Sequence, residues 1–276
     1  MVDTVLVTGA TGKTGSALAR ILREMGVRVR GATRSPRAVG DISFDWSDAS
    51  TFEAALDGVD GVYLVAPTDT IEPLVPMQPF LEKAALRRRL VLLSSSSLPK
   101  GGLMMGKVHA WLADHSKDYS VLRPSWFMQN FLTQHLSGIR QDGAIFSATG
   151  DGRVGFIDAE DIAAVAASML IQSDALDGAE PILTGPRTLS YDEVASSITE
   201  ASGRAVRHAR LTVAELAGRY EGYGLPLSYA KTLAALDDAI SKGAEDRVTD
   251  EVERWTNRSP NDLRSFLATH AGMLRE

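Results

Sequence analysis

Residues Val5 to Gly15 read VLVTGATGKTG, and their spacing admits two kinds of phosphate chemistry. Gly12-Lys13-Thr14 is the ending of a triphosphate-binding loop, G-x-x-x-x-G-K-[ST], whose backbone N–H groups encircle a phosphate before the lysine reaches the outer ones. That loop requires glycine at position 7, where the chain has Val7, so it is too short to encircle a phosphate. What remains is Gly9, Gly12 and Gly15 at intervals of three, a dinucleotide-binding turn between an apolar strand and a helix. There the first glycine permits the turn, the second lets the backbone approach a pyrophosphate, and the third lets the helix pack closely on the strand. Thr11, Lys13 and Thr14 complete the turn and open the helix, where backbone N–H groups and the helix dipole favour an anion.

The dinucleotide is read one strand further on. A carboxylate at the end of the second strand would bind the ribose hydroxyls of NAD. Here that end reads GATRSPR, and Arg34, Ser35 and Arg37 suit a 2′-phosphate, so the expected cofactor is NADP(H). After the third strand, Asp45 offers a carboxylate for the adenine amino group and Trp46 a face for the base. The plainer roles are a helix cap for Asp45 and core packing for Trp46. Ala66 and Pro67 end the fourth strand as a small-residue edge for the ribose and adenine.

Proton chemistry is thinly represented. Ketone reductases of the short-chain type donate a proton from tyrosine in a Tyr-x-x-x-Lys pair. Four residues beyond the six tyrosines stand Pro67, Arg123, Ala195, Gly224, Leu227 and Leu233, so that pair is absent. The corresponding neighbourhood holds four serines, Ser94 to Ser97, and then GGLMMGKVH from Gly101 to His109. Ser94 and Ser95 can orient nicotinamide or substrate by hydrogen bonds, Met104 belongs to a loop that suits a substrate pocket, and Lys107 and His109 are the candidate proton donors. A lysine there is more often a surface residue, and a lone histidine more often structural. The five histidines, at 109, 115, 135, 208 and 270, lack metal-ligand spacing, and no metal is expected.

The elements that must position these residues follow from periodicity. Apolar runs at Thr4–Thr8, Val27–Thr33, Ile42–Phe44, Gly61–Val65, Leu90–Ser94 and Tyr119–Arg123 alternate with helical patterns at 12–25, 51–56, 77–88 and 103–115. This predicts an α/β fold with a doubly wound parallel (Rossmann) sheet and a ligand crevice at the strands' carboxyl ends. Residues 1–185 form the expected dinucleotide-binding domain, and 186–276 a smaller, mostly helical substrate cap sharing its core. Between them, 144–157 reads as an irregular hairpin, Asp158 caps a helix, and Pro181–Thr184 returns to the sheet. Ser190-Tyr-Asp-Glu193 and Thr212-Val-Ala-Glu215 are capping boxes, and Ser259-Pro260 starts the last helix. Arg87-Arg88-Arg89 is expected as a solvated helix end.

Of 276 residues 44% are hydrophobic and 23% charged, with a net charge of −6 that disfavours nucleic acid as a partner. The chain has no cysteine, which removes disulfides and thiolate chemistry. Its first residues enter a strand without an apolar leader, and no run approaches a membrane span. The expectation is a cytoplasmic protein with a small-molecule substrate, monomeric or homodimeric.

TGATGKTG, ATRSP, FDW, MGKVHAWL, LRPSWFMQNF and SATGDGRVGFIDAEDIAAVA resemble the NmrA-like branch of the atypical short-chain dehydrogenases. FDW with MGKVHAWL is similar to the ergot-alkaloid reductases of that branch, the agroclavine and festuclavine dehydrogenase kind, which belong to secondary metabolism. The resemblance covers nearly the whole chain and implies an NADP(H)-binding fold lacking the tyrosine pair. By position, Pro124, Ser125, Trp126, Phe127 and Met128 would line the nicotinamide side. The narrower likeness fits the missing acid, because hydride addition to an iminium carbon gives a neutral amine with no proton required, whereas a ketone needs a donor. Trp126, Phe127 and Tyr223, with Tyr229, offer ring faces to such a cation. The resemblance leaves open a quinone-type acceptor, or an NADP-sensing regulator without turnover.

Overall fold

The computed structural model describes residues 2–275; positions 1 and 276, the outer ends of the two expected domains, lie outside them. In chain order come β1 (Thr4–Thr8), α1 (Lys13–Glu24), β2 (Arg28–Thr33), β3 (Ile42–Ser43), α2 (Phe52–Leu56), β4 (Gly61–Leu64), α3 (Leu74–Ala84), β5 (Arg89–Leu93), α4 (Met105–His115) and β6 (Tyr119–Pro124). Then follow α5 (Leu136–Asp142), β7 (Ala144–Ser147), β8 (Arg153–Val154), α6 (Ala159–Ile171), β9 (Ile182–Leu183), β10 (Leu189–Ser190), α7 (Tyr191–Ser202) and β11 (Arg207–Arg210). The chain continues through α8 (Val213–Gly222), α9 (Leu227–Ser241), α10 (Glu251–Thr256), α11 (Leu263–Thr269) and α12 (Ala271–Arg275).

Two compact units result, and the chain passes between them more than once. The first comprises Met1–Pro124, Ala159–Leu183 and Glu251–Arg258; the second Ser125–Asp158, Thr184–Asp250 and Ser259–Glu276. A single cut at residue 185 therefore does not describe the division. The chain leaves the sheet after Pro124 and returns to it with α6 and β9.

The first unit is a seven-stranded sheet in the order β3-β2-β1-β4-β5-β6-β9, parallel at every pairing. β1 and β4 are buried at every residue, as strands covered on both faces must be. The order reverses between β1 and β4, the switch point where such sheets bind ligands at their carboxyl edge. Leu6, Leu64, Leu92, Phe52, Phe80 and Val108 belong to its core cluster.

The basic run departs from expectation. α3 ends at Ala84, and Arg89 opens β5 with only 7% of its surface exposed. Its guanidinium donates to Asp118 at 2.9 Å and to the carbonyls of Met169 at 3.1 Å, Asp174 at 2.6 Å and Gln172. Five fixed donors suit the carbonyls left open at the end of α6, so the residue is a buried clamp and not a solvated charge.

In the second unit β7 pairs in parallel with β11, and β8 pairs antiparallel with β10. The hairpin expected over 144–157 does not form, because each half finds its partner later in the chain. Gly152 marks the constraint, since a Cβ there would lie 2.3 Å from the carbonyl oxygen of Ile240 at the end of α9. Both capping boxes are present, Ser190 with Glu193 and Thr212 with Glu215. Asp262, not Ser259, opens α11, its side chain accepting from the Ser265 N–H at 3.0 Å. Met128, Phe131, Phe156, Tyr191, Ile198 and Phe266 lie in this unit's core. Among the described residues no helix is long and apolar enough to cross a membrane, and no group of carboxylates and histidines could hold a metal.

Candidate functional site

The glycine turn forms as its spacing requires. Gly9 has φ +62°, a backbone that side chains resist, and the Gly12 N–H closes the turn on the Gly9 carbonyl at 2.8 Å. A Cβ on Gly15 would sit 2.2 Å from the Gly9 oxygen, so this position sets how closely α1 approaches β1. Gly12 caps α1 without a side-chain hydrogen bond, and the first turn carries no acid. Thr11 and Lys13 are exposed. Thr14 is 3% exposed and its hydroxyl accepts from Tyr63 at 3.0 Å, so its side chain belongs to the packing of α1 on β4. Burial raises the Tyr63 phenol far above its ordinary range.

Arg34 and Ser35 follow β2 on exposed backbone. The Asp45 carboxylate accepts from the N–H of Ser47 at 2.9 Å and its hydroxyl at 2.7 Å. Those bonds, backbone first, hold it below the usual carboxylate range, with Arg34 adding a smaller pull. It closes a turn and caps no helix; Asp48 does that, accepting from Ser50. Trp46 donates from Nε1 to the Val65 carbonyl at 3.2 Å and packs edge-on against Phe44 at 4.8 Å and Phe80 at 5.3 Å. The structure thereby joins the third strand's end to Val65-Ala66-Pro67, with Trp46 a partly buried extension of the core.

The connection from β5 to α4 concentrates exceptions. Ser94 is 8% exposed, and its hydroxyl has no hydrogen-bond partner among the described residues. Ser95 and Ser97 bond to each other at 3.0 Å. Met104, capping α4, has φ +51°, a strained value for a side chain of its size. Gly106 is pressed into the same loop, where a Cβ would meet the Pro99 carbonyl oxygen at 2.4 Å.

Lys107 and His109 do not converge. Lys107 pairs with both carboxylate oxygens of Glu72, at 2.6 and 2.9 Å. His109 is 1% exposed, with Nδ1 unpartnered among the described residues and Nε2 3.9 Å from Glu180. Burial lowers its imidazole pKa; Glu180 opposes this, while Lys100 and Arg123 add to it. Glu180 is also bound by Arg123 at 3.2 Å, and Pro124 ends β6 as a buried residue.

In the second unit the motif after β6 is held from both sides. The Ser125 hydroxyl donates to Glu245 at 3.1 Å, a carboxylate 2% exposed that also meets Arg247 at 3.0 Å. Trp126 and Met128 bracket Ile157 by backbone bonds of 2.9 and 2.8 Å. Trp126 and Phe127 are half-buried, whereas Met128 is 1% exposed and packs in the core. Tyr223 caps α8 at 57% exposure, with Arg219 over its ring at 5.5 Å. Sequence reasoning missed Glu72, Tyr63 and Glu245. No motif marks them, and their contacts join residues 35, 49 and 120 positions apart.

A dinucleotide fits what is present. The cradle excludes side chains at Gly9 and Gly15, the helix start carries no competing cap or acid, and Ser94 holds a buried hydroxyl in want of a partner. Residues 5–72 match the NAD dependent epimerase/dehydratase family. The uncharacterized oxidoreductase YesF of Bacillus subtilis is 43% identical over 97% of this chain and 95% of its own. Agroclavine dehydrogenase of Claviceps purpurea is 39% identical over 95% of this chain and 96% of its own. The NADPH-dependent quinone oxidoreductase QOR2 of Escherichia coli, solved with NADPH, superposes with a TM-score of 0.82 at 23% identity, over 96% of this chain and 99% of that one. With relatives similar along nearly its entire length, this chain belongs to the family of the agroclavine and festuclavine dehydrogenases.

Proposed function

We propose that this NAD(P)H-dependent oxidoreductase reduces an iminium or similar cationic acceptor and prefers NADPH. The observation that carries the reading is the withholding of proton donors. The tyrosine–lysine pair is absent, Lys107 is engaged by Glu72, and His109 is buried with a lowered pKa. A ketone accepting hydride develops an alkoxide that must be protonated, whereas an iminium carbon becomes a neutral amine and asks only for orientation and close approach. The relatives named agroclavine and festuclavine dehydrogenase support the oxidoreductase part of this reading.

The residues divide the work of holding the cofactor. Gly9, Gly12, Gly15 and the first turn of α1 suit the pyrophosphate, Arg34 and Ser35 the 2′-phosphate, and Ala66 and Pro67 the adenine side. Ser94 supplies a hydroxyl that a bound ligand would satisfy. When bound, the reduced nicotinamide supplies the hydride. Trp126 and Phe127 offer half-buried ring faces that suit a cation.

The test follows NADPH absorbance with a cyclic iminium salt, the ketone of the same skeleton and a quinone. Iminium reduction should be fastest, with a rate independent of pH between about 6 and 8 because no side chain donates a proton. A faster ketone reaction would overturn the reading. Tight NADPH binding with no turnover of any acceptor would instead favour a nucleotide sensor.

A further inference from the structure

Glu72 lies between β4 and α3, and Lys107 lies in the first turn of α4. Both connections leave the carboxyl ends of adjacent parallel strands, β4 and β5, on the edge where this fold takes its ligands. The side chains meet there with both carboxylate oxygens within 2.9 Å of the ammonium, and they stay 49% and 40% exposed. α4 carries no acid of its own in its first turn, so the positive end of its dipole adds to the lysine charge. The countercharge comes instead from a different connection. An ion pair this exposed does little for stability, and what sets it apart from the other surface pairs is the charge it presents at the ligand edge of the sheet.

We propose that Glu72 is a specificity-determining residue: by neutralising Lys107 it admits a cationic acceptor that an uncompensated ammonium at the helix start would repel. This rests on the iminium reading for its choice of acceptor. A second consequence follows from the same contact. Lys107 is kept from acting as an acid toward neutral carbonyls, so one ion pair favours cations and disfavours ketones together.

The experiment compares wild type, Glu72→Gln, Lys107→Met and the double variant. The readouts are the ratio of kcat/KM for an N-methylated cyclic iminium over a neutral quinone, and the inhibition constant of a non-reducible quaternary ammonium analogue. Glu72→Gln should lower the ratio and weaken the inhibitor about tenfold, or about 1.4 kcal/mol. The loss should shrink at high salt. Lys107→Met added to Glu72→Gln should restore both, because the charge that Glu72 offsets is gone. Equal losses with both acceptors, or no recovery in the double variant, would overturn the proposal. Should wild type fail to reduce the iminium, the functional reading falls, and the inhibitor series still decides the role of Glu72.

Discussion

Gly15 and Gly12 sit three residues apart in one turn, yet the structure assigns them different penalties. An alanine Cβ at Gly15 would lie 2.2 Å from the Gly9 oxygen, 2.8 Å from the Gly9 carbon and 3.1 Å from the Ala10 Cα. All three are backbone atoms, so no side chain can swing away. α1 must back off β1 by about 0.8 Å to reach the 3.0 Å below which real Cβ contacts essentially do not occur. That helix buries Ala17, Leu18, Ala19 and Leu22, and the shift loosens them together. Overpacking costs about 1–3 kcal/mol, offset by up to about 1 kcal/mol for replacing a helical glycine. A net loss near 1–2 kcal/mol should lower the melting temperature by roughly 2–8 °C. Gly12→Ala meets only the Gly9 oxygen, at 3.2 Å, with φ −83°. Its stability should stay within about 0.5 kcal/mol of wild type, while its dinucleotide affinity falls more than about tenfold as the Cβ enters the phosphate approach. Thermal melting by circular dichroism without cofactor, paired with NADPH fluorescence titration, separates the two effects. If Gly12→Ala melts as low as Gly15→Ala, or binds NADPH like wild type, the division of roles is wrong.

Arg34→Asp should weaken NADPH at least about tenfold more than NADH in the same titration; equal losses would refute a 2′-phosphate contact. Ser94→Ala removes a buried hydroxyl without a partner among the described residues. The cofactor-free protein should gain up to about 1 kcal/mol while NADPH affinity drops, and a variant that moves neither quantity would remove Ser94 from the site. Asp237 is 7% exposed, and burial pushes its carboxyl up to about 6 against the opposing Ala148 N–H at 2.9 Å. The folded state keeps that proton where the unfolded chain has released it, so stability falls as pH rises from about 4 to 6, by at most about 3 kcal/mol. Asp237→Asn should therefore raise the melting temperature more at about pH 8 than at about pH 4, and an equal gain at both would contradict the assignment.

The parallel sheet was legible because each strand announces itself locally, in apolar runs such as Val5–Val7 and Leu90–Leu93 broken by helical spacing. The capping boxes and the glycine turn were legible for the same reason, as both lie within one turn of chain. The failures share the opposite property. β7 and β8 look like a hairpin from within, but their partners stand at β11 and β10. Arg89 looks like the last of three solvated arginines, but its carbonyl acceptors lie some eighty residues on. Lys107 and His109 are the instructive case. Two positions apart on a helix, they cannot face one site, a fact available from spacing alone. Which of them faces inward depended on tertiary packing.

Local rules are broken repeatedly between β5 and the first turns of α4. Ser94 buries an unanswered hydroxyl, Met104 takes a left-handed backbone that favours glycine, and His109 buries an unanswered nitrogen. Each departure costs the protein on the order of 1–3 kcal/mol. The proposed cofactor site accounts for the unanswered Ser94 hydroxyl, because a segment that must grip a ligand cannot also satisfy itself. The same segment lacks a tyrosine acid and has its lysine neutralised from across the edge by Glu72. Polar groups retained for contact, together with proton donors withheld, fit an acceptor that needs placing more than it needs protonating.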